Sequence, residues 1–217
     1  CYTSLGGNQY VNSPSVGRYA DYLVQELVPL VEENFNVVEG RAGRALFGKS
    51  SGGYGALYHA MKYPDTWGAA ASHAGDVGFD LLFKREFPTV CCLLGPLKGG
   101  SEAFIRSFWR KNRPNGRDFT AMMILAMAAS YDPDPDNPGT IRLPFDLRTC
   151  EVAENRWANW LEYDPLVMLT RHSASLASLQ GLYIDVGIYD QYNIQYGTRR
   201  FVDSLSELGV PHRYEEF

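Results

Sequence analysis

Two stretches of the 217-residue chain carry residue types that can do covalent chemistry. The first is Arg44 to Leu57, RALFGKSSGGYGAL, in which an apolar run ends at Gly48 and a serine follows two residues later. Gly48, Lys49, Ser50, Ser51 and Gly52 spell G-x-S-x-G, the pattern of a strained strand-to-helix turn that lifts a serine hydroxyl clear of a sheet so that a carbonyl carbon can approach it. At such a turn Gly48 and Gly52 let the flanking backbones pass where a Cβ would collide. The second stretch, GLYIDVGIYD, is an apolar strand from Gly181 followed by a turn that presents Asp190.

A serine hydroxyl is a poor nucleophile until a base takes its proton, and the base, a histidine, needs a carboxylate to fix its tautomer. In hydrolases built on this turn the chain order is serine, acid, histidine, each at the end of a different strand. Asp190 occupies the acid's place. Asp185 is its rival, but it lies inside the apolar run, where a carboxylate braces its neighbours. The backbone N–H of Ser51 would be one oxyanion donor, with the second expected from an earlier loop. Of the four histidines, His59 lies on the helix behind the turn, His172 on a surface segment and His212 at the far end of the last strand. His73 is at the correct end of the sheet but precedes Asp190, so it reads as a pocket-lining or hydrogen-bonded structural residue ahead of the alternative that it is the base.

Two other motifs compete for these residues. Gly43, Gly48, Lys49 and Ser50 fit G-x-x-x-x-G-K-[ST], a phosphate-cradling loop, and Leu182–Asp185 would stand in for its magnesium-binding strand. The order is wrong for it, since Ala45, Leu46 and Phe47 are the only candidate strand and they occupy the positions that must form the open loop. Asp132, Asp134 and Asp136 alternate as in a calcium loop, but Asn137 replaces the turn glycine and Leu143 the closing glutamate. A solvated turn is the expectation there, and no metal or cofactor is called for.

The elements that must position Ser50 and Asp190 follow from periodicity and breakers. An amphipathic helix spans about 17–35, bent at Pro29. A short strand leads into the serine turn, a helix covers about 52–62 before Pro64, and a second strand covers 67–72 and ends in a loop, His73 to Asp76. Residues 77–163 leave this alternation and carry Trp109, Trp157 and Trp160, with helices near 104–111 and 121–130. They are expected to form an insertion, either a lid or aromatic pocket wall or a segment that merely covers the sheet edge. The strand from Gly181, a helix over 192–208 capped by Gly209 and a last strand from His212 complete an α/β fold with a mostly parallel sheet.

A net charge of -5 removes any general attraction to nucleic acid or anionic lipid, and no apolar run is long enough to span a bilayer. Cys1, Cys91, Cys92 and Cys150 lack metal-ligand spacing and suggest free thiols in a reducing, cytoplasmic setting. The chain starts without methionine and stops within a strand, so both ends read as cut. Oligomeric state is not legible.

GKSSGGYGAL, GLYIDVGIYDQY, LGVPHRYEEF and SLGGNQYVNSPSVGRYADYLVQELVPLVEENF together resemble the Putative esterase family of α/β-hydrolases, which includes S-formylglutathione hydrolase, the enterochelin esterases and the mycolyltransferase antigens. The resemblance implies a single partial α/β-hydrolase domain over 1–217, with 77–163 inserted in it. It implies Ser50 as nucleophile and Asp190 as acid, with the histidine in a glycine-rich segment after Phe217 and the first strands before Cys1. Leu5, Gly6 and His73 are candidates for the pocket wall. The expected activity is hydrolysis of a small carboxylic ester or thioester through an acyl-serine; acyl transfer by the same residues and a non-catalytic binding domain are the alternatives.

Overall fold

The computed structural model describes residues 3–217, which divide into two compact units: 20–82 with 162–217, and the residues up to 19 with 83–161.

In the second unit two short strands, β1 (Asn12–Ser13) and β2 (Gly17–Arg18), pair antiparallel. The other unit is entered through α1 (Tyr19–Asp21), a π-helical stretch Tyr22–Leu27 and α2 (Val28–Asn34). The sequence suggested a bend at Pro29. The helix instead widens before it: the Val28 N–H bonds the Leu23 carbonyl, five residues back, and a π turn is one way a helix accommodates a proline ring without a clash.

The sheet of this unit holds β3 (Ala45–Lys49), β4 (Ala69–His73), β5 (Gly181–Val186) and β6 (Arg213–Glu216), parallel and in that order. Between β3 and β4 runs α3 (Ser51–Lys62). In-register residues share a face. Leu46, Ala70, Leu182 and Ile184 share one, toward α3, and Phe47, Ala71 and Tyr183 the opposite one. Residues 53–61 of α3 are all buried, and the helix packs on β3, β4 and α9 (Pro165–Ala177). A parallel sheet directs the carboxyl ends of its strands to one edge, here the edge bearing Lys49, His73 and Val186.

Two contacts fix the loop after β4. Asp164, N-cap of α9, accepts hydrogen bonds from Gly78 N at 3.0 Å, Phe79 N at 2.7 Å and Leu166 N at 3.0 Å, where α4 (Phe79–Leu82) begins. Burial nevertheless raises its carboxyl above the usual range. On the other side α10 (Ile194–Glu207) presses Gly197 to the loop, where a Cβ would stand 2.0 Å from the Val77 carbonyl oxygen.

The remaining helices, α5 (Phe87–Leu94), α6 (Gly100–Arg110), α7 (Gly116–Tyr131) and α8 (Glu154–Leu161), belong to the second unit. Its centre is aromatic: Phe87 stacks on Phe145 at 4.2 Å and meets Trp157 edge-on, while Trp160 contacts Phe83, Tyr131 and Trp157. Trp157 and Trp160, expected in a pocket wall, are therefore core residues, 2% and 0% exposed. Trp109 is half exposed, its indole N–H donating to the Ser4 carbonyl. Asp132 is not part of a solvated turn either. It is buried and accepts from Arg142 at 2.7 Å and Asn159 at 2.8 Å, while Asp134 holds the exposed turn at 136–137. Among the described residues no helix is long and apolar enough to cross a membrane.

Candidate active site

Ser50 is the residue between β3 and α3, and its backbone angles are φ 55, ψ −125. A positive φ strains any residue with a Cβ, at a cost of about 1–3 kcal/mol that the surroundings must hold in place. They do so by close packing of glycines. A Cβ on Gly48 would lie 2.3 Å from the Gly52 carbonyl carbon, and one on Gly75 2.7 Å from that of Gly53. The end of β3, the start of α3 and the loop after β4 thus meet backbone to backbone. The Ser50 N–H donates to the His73 carbonyl at 2.9 Å, and its carbonyl accepts the first helical bond, from Tyr54 N at 2.9 Å.

The same geometry disposes of the phosphate loop. Positions 45–49 are strand, and Gly43 closes a 3₁₀ turn in which a Cβ would stand 2.1 Å from the Val38 carbonyl oxygen. No open cradle of amides exists between Gly43 and Lys49.

Asp190 lies in the turn between β5 and α10. Its Oδ1 accepts from Tyr192 N at 2.9 Å and Ile194 N at 3.2 Å, which fixes the carboxylate over the first turn of α10. Ser50 and Asp190 line one depression of about 430 Å³, with Ala74 and Tyr192 among its walls. Ser51 is the first residue of α3, so its N–H stands at the positive end of a 12-residue helix.

His73 and Asp185 are held elsewhere. His73 is the last residue of β4 and not part of the loop. Its Nδ1 lies 2.8 Å from Oδ2 of Asp185, its in-register neighbour on β5. Neither is among the residues lining the depression, and no described histidine is. His59 is buried in α3, and Nδ1 of His212 is 2.8 Å from the Val210 carbonyl oxygen. Leu5, which is buried, and Gly6, at φ 84, belong to the other unit.

Residues 7–217 match the family described as Putative esterase. The chain belongs to that family. It is 42% identical over 67 residues to Esterase Rv1288 of Mycobacterium tuberculosis, a match covering 31% of this chain and 14% of that protein. With the uncharacterized protein YbbA of Bacillus subtilis it shares 29% identity over 79 residues, 36% of this chain and 29% of YbbA. Among solved structures, a ferulic acid esterase superposes with a TM-score of 0.54 at 16% identity, over 99% of this chain and 58% of that one. MPT51 of M. tuberculosis gives 0.53 at 18%, over 97% and 64%. The chain spans less than two thirds of each of these proteins, and at such identities the structures establish the α/β-hydrolase fold alone.

One residue beside the site escaped the sequence reading. Asp76 is buried, hydrogen-bonded to the Ser51 side chain, and its Oδ2 has no partner. Burial pushes its carboxyl up to about 7, opposed by the Ser51 hydrogen bond and reinforced by the charge of Asp190. Its place after β4, at the carboxyl edge of the sheet, was the available signal. Its burial could not be read from the letters SHAGD.

Proposed function

We propose that this chain carries the nucleophile of a serine esterase: Ser50 attacks a carboxylic ester or thioester carbonyl, and an acyl-Ser50 intermediate is released to water. The observation that carries the reading is the strained Ser50 on a strand-to-helix turn sharing one depression with a fixed carboxylate, Asp190. A nucleophile and its acid do not touch in such a site; the base stands between them, and the depression leaves room for an imidazole. The Ser51 N–H, at the helix N-terminus, supports the developing oxyanion. Asp190, its Oδ1 already pinned by two backbone donors, would hold the base in one tautomer. The histidine itself is not among the residues that line the depression, so the reading requires one to enter it from elsewhere in the full protein.

The same residues serve acyl transfer to an alcohol, which product analysis with an added acceptor separates from hydrolysis. A binding domain without catalysis is the second reading, favoured by the absence of a histidine from the depression's described lining. The full-length protein is to be tested on short-chain p-nitrophenyl esters. Turnover lost in Ser50→Ala supports the esterase; turnover unchanged by that substitution refutes it.

A further inference from the structure

The second unit contains a pair of thiols that the esterase chemistry does not use. Cys91 lies on α5, and Cys150 ends the turn that begins at Asp146. The Cys150 thiol neighbours that of Cys91. One carbonyl gathers both residues: Asp146 O accepts the Cys91 thiol at 3.6 Å and the Cys150 N–H at 2.8 Å.

This approach is built into the fold. The Asp146 carboxylate accepts from Arg148 N at 2.9 Å, Thr149 N at 2.7 Å and the Thr149 hydroxyl at 3.0 Å, which locks the turn. Cys150 itself sits at φ 60. The helix end packs so tightly on the turn that a Cβ on Gly95 would stand 3.1 Å from the Leu147 carbonyl oxygen, and Phe87 stacks on Phe145 one turn earlier. A depression of about 420 Å³ opens beside Cys91, with Pro96, Leu147 and the cationic Arg148, two residues before Cys150, also in its wall.

We infer that Cys91 and Cys150 form a reversible disulfide by exchange with a small, carboxylate-bearing disulfide that docks beside Arg148. In the first step the Cys150 thiolate attacks one sulfur of the small disulfide, giving a mixed disulfide and releasing one small thiolate. The Cys91 sulfur then loses its proton and attacks the Cys150 sulfur, which forms the internal disulfide and releases the second small thiolate. Both protons end on the released thiols. Two protein thiols are oxidised and one small disulfide is reduced to two thiols. Cys150 enters first because burial, together with the neighbouring Cys150 thiol, pushes the Cys91 thiol up to about 12, and a thiol so raised supplies little thiolate. Cys92, next along α5, is exposed and takes no part.

The test is oxidation of the full protein with oxidised glutathione. The expected result is loss of two of the chain's four thiols, a mass lower by about 2 Da with no retained glutathione, a Cys91–Cys150 peptide link, and reversal by dithiothreitol. Cys92→Ser should oxidise as wild type, whereas Cys150→Ser should form no internal link. Arg148→Ala should slow exchange with oxidised glutathione several-fold and leave exchange with uncharged hydroxyethyl disulfide unchanged. A link through Cys92, or all thiols persisting in the folded protein, would overturn the pairing. Equal slowing of both disulfides by Arg148→Ala would overturn the docking role.

Discussion

The backbone N–H of Ser50 donates to the carbonyl of His73 at 2.9 Å, while the His73 imidazole lies 2.8 Å from the Asp185 carboxylate. The main chain of His73 therefore serves the serine turn and its side chain serves the sheet. His73→Ala is expected to keep kcat/KM for p-nitrophenyl acetate in the full-length protein within about threefold. Loss of one part-exposed hydrogen bond should lower stability by about 1 kcal/mol in urea unfolding. A thousandfold loss of turnover with the fold intact would make His73 the base.

Asp190→Asn separates charge from structure. The amide oxygen still accepts from Tyr192 N and Ile194 N, so the first turn of α10 should survive. On the proposed reading the negative charge that would orient a base is gone, and kcat should fall by roughly 10⁴ while circular dichroism is unchanged. Asp185→Asn, aimed at the His73 contact, should leave kcat nearly untouched. The reverse pattern would exchange the two roles.

Gly48→Ala tests the packing that strains Ser50. The new Cβ meets the Gly52 backbone, which has no flexible end to move, so a loss of about 1–3 kcal/mol or more is expected together with loss of turnover. Gly181→Ala meets nothing within 4 Å and is the control, with stability nearly unchanged. Denaturant midpoints of the two variants decide this.

Asp76 makes a pH prediction. Its folded pKa of about 7 stands above the ordinary aspartate value of 3.8. The proton is thus held more tightly by the folded chain, and the stability it lends is complete below about pH 4 and lost as pH rises through 7. Asp76→Asn keeps the neutral form at every pH. Relative to wild type it should gain stability between pH 4 and 7, by an amount on the order of 4 kcal/mol. Parallel stability curves for the two proteins would show that Asp76 does not titrate in this range.

Much of the framework was legible because it rests on local rules. Gly48 and Gly52 announced a close backbone crossing, and Pro64 a helix end at Lys62. Gly209, at φ 66, follows the last turn of α10 as a cap should. The alternation of strand and helix gave the parallel sheet. What failed to show was set by tertiary contact. Trp157 and Trp160 look alike in sequence whether they line a pocket or fill a core, and partners such as Phe87, which comes to Trp157 from distant sequence, decide which. His73 was placed one residue too far along, in a loop, because strand ends depend on ladder bonds that a single sequence does not display. The burial of Asp76 and the meeting of Cys91 with Cys150 are likewise products of the folded chain.

The central claim is that Ser50 is the nucleophile. The most direct measurement is labelling of the full-length protein with a fluorophosphonate probe, followed by mass spectrometry of the modified peptide. The account predicts one phosphonyl group on Ser50, with neither label nor ester turnover in Ser50→Ala. Label on another residue, or ester hydrolysis at the wild-type rate by Ser50→Ala, would contradict it.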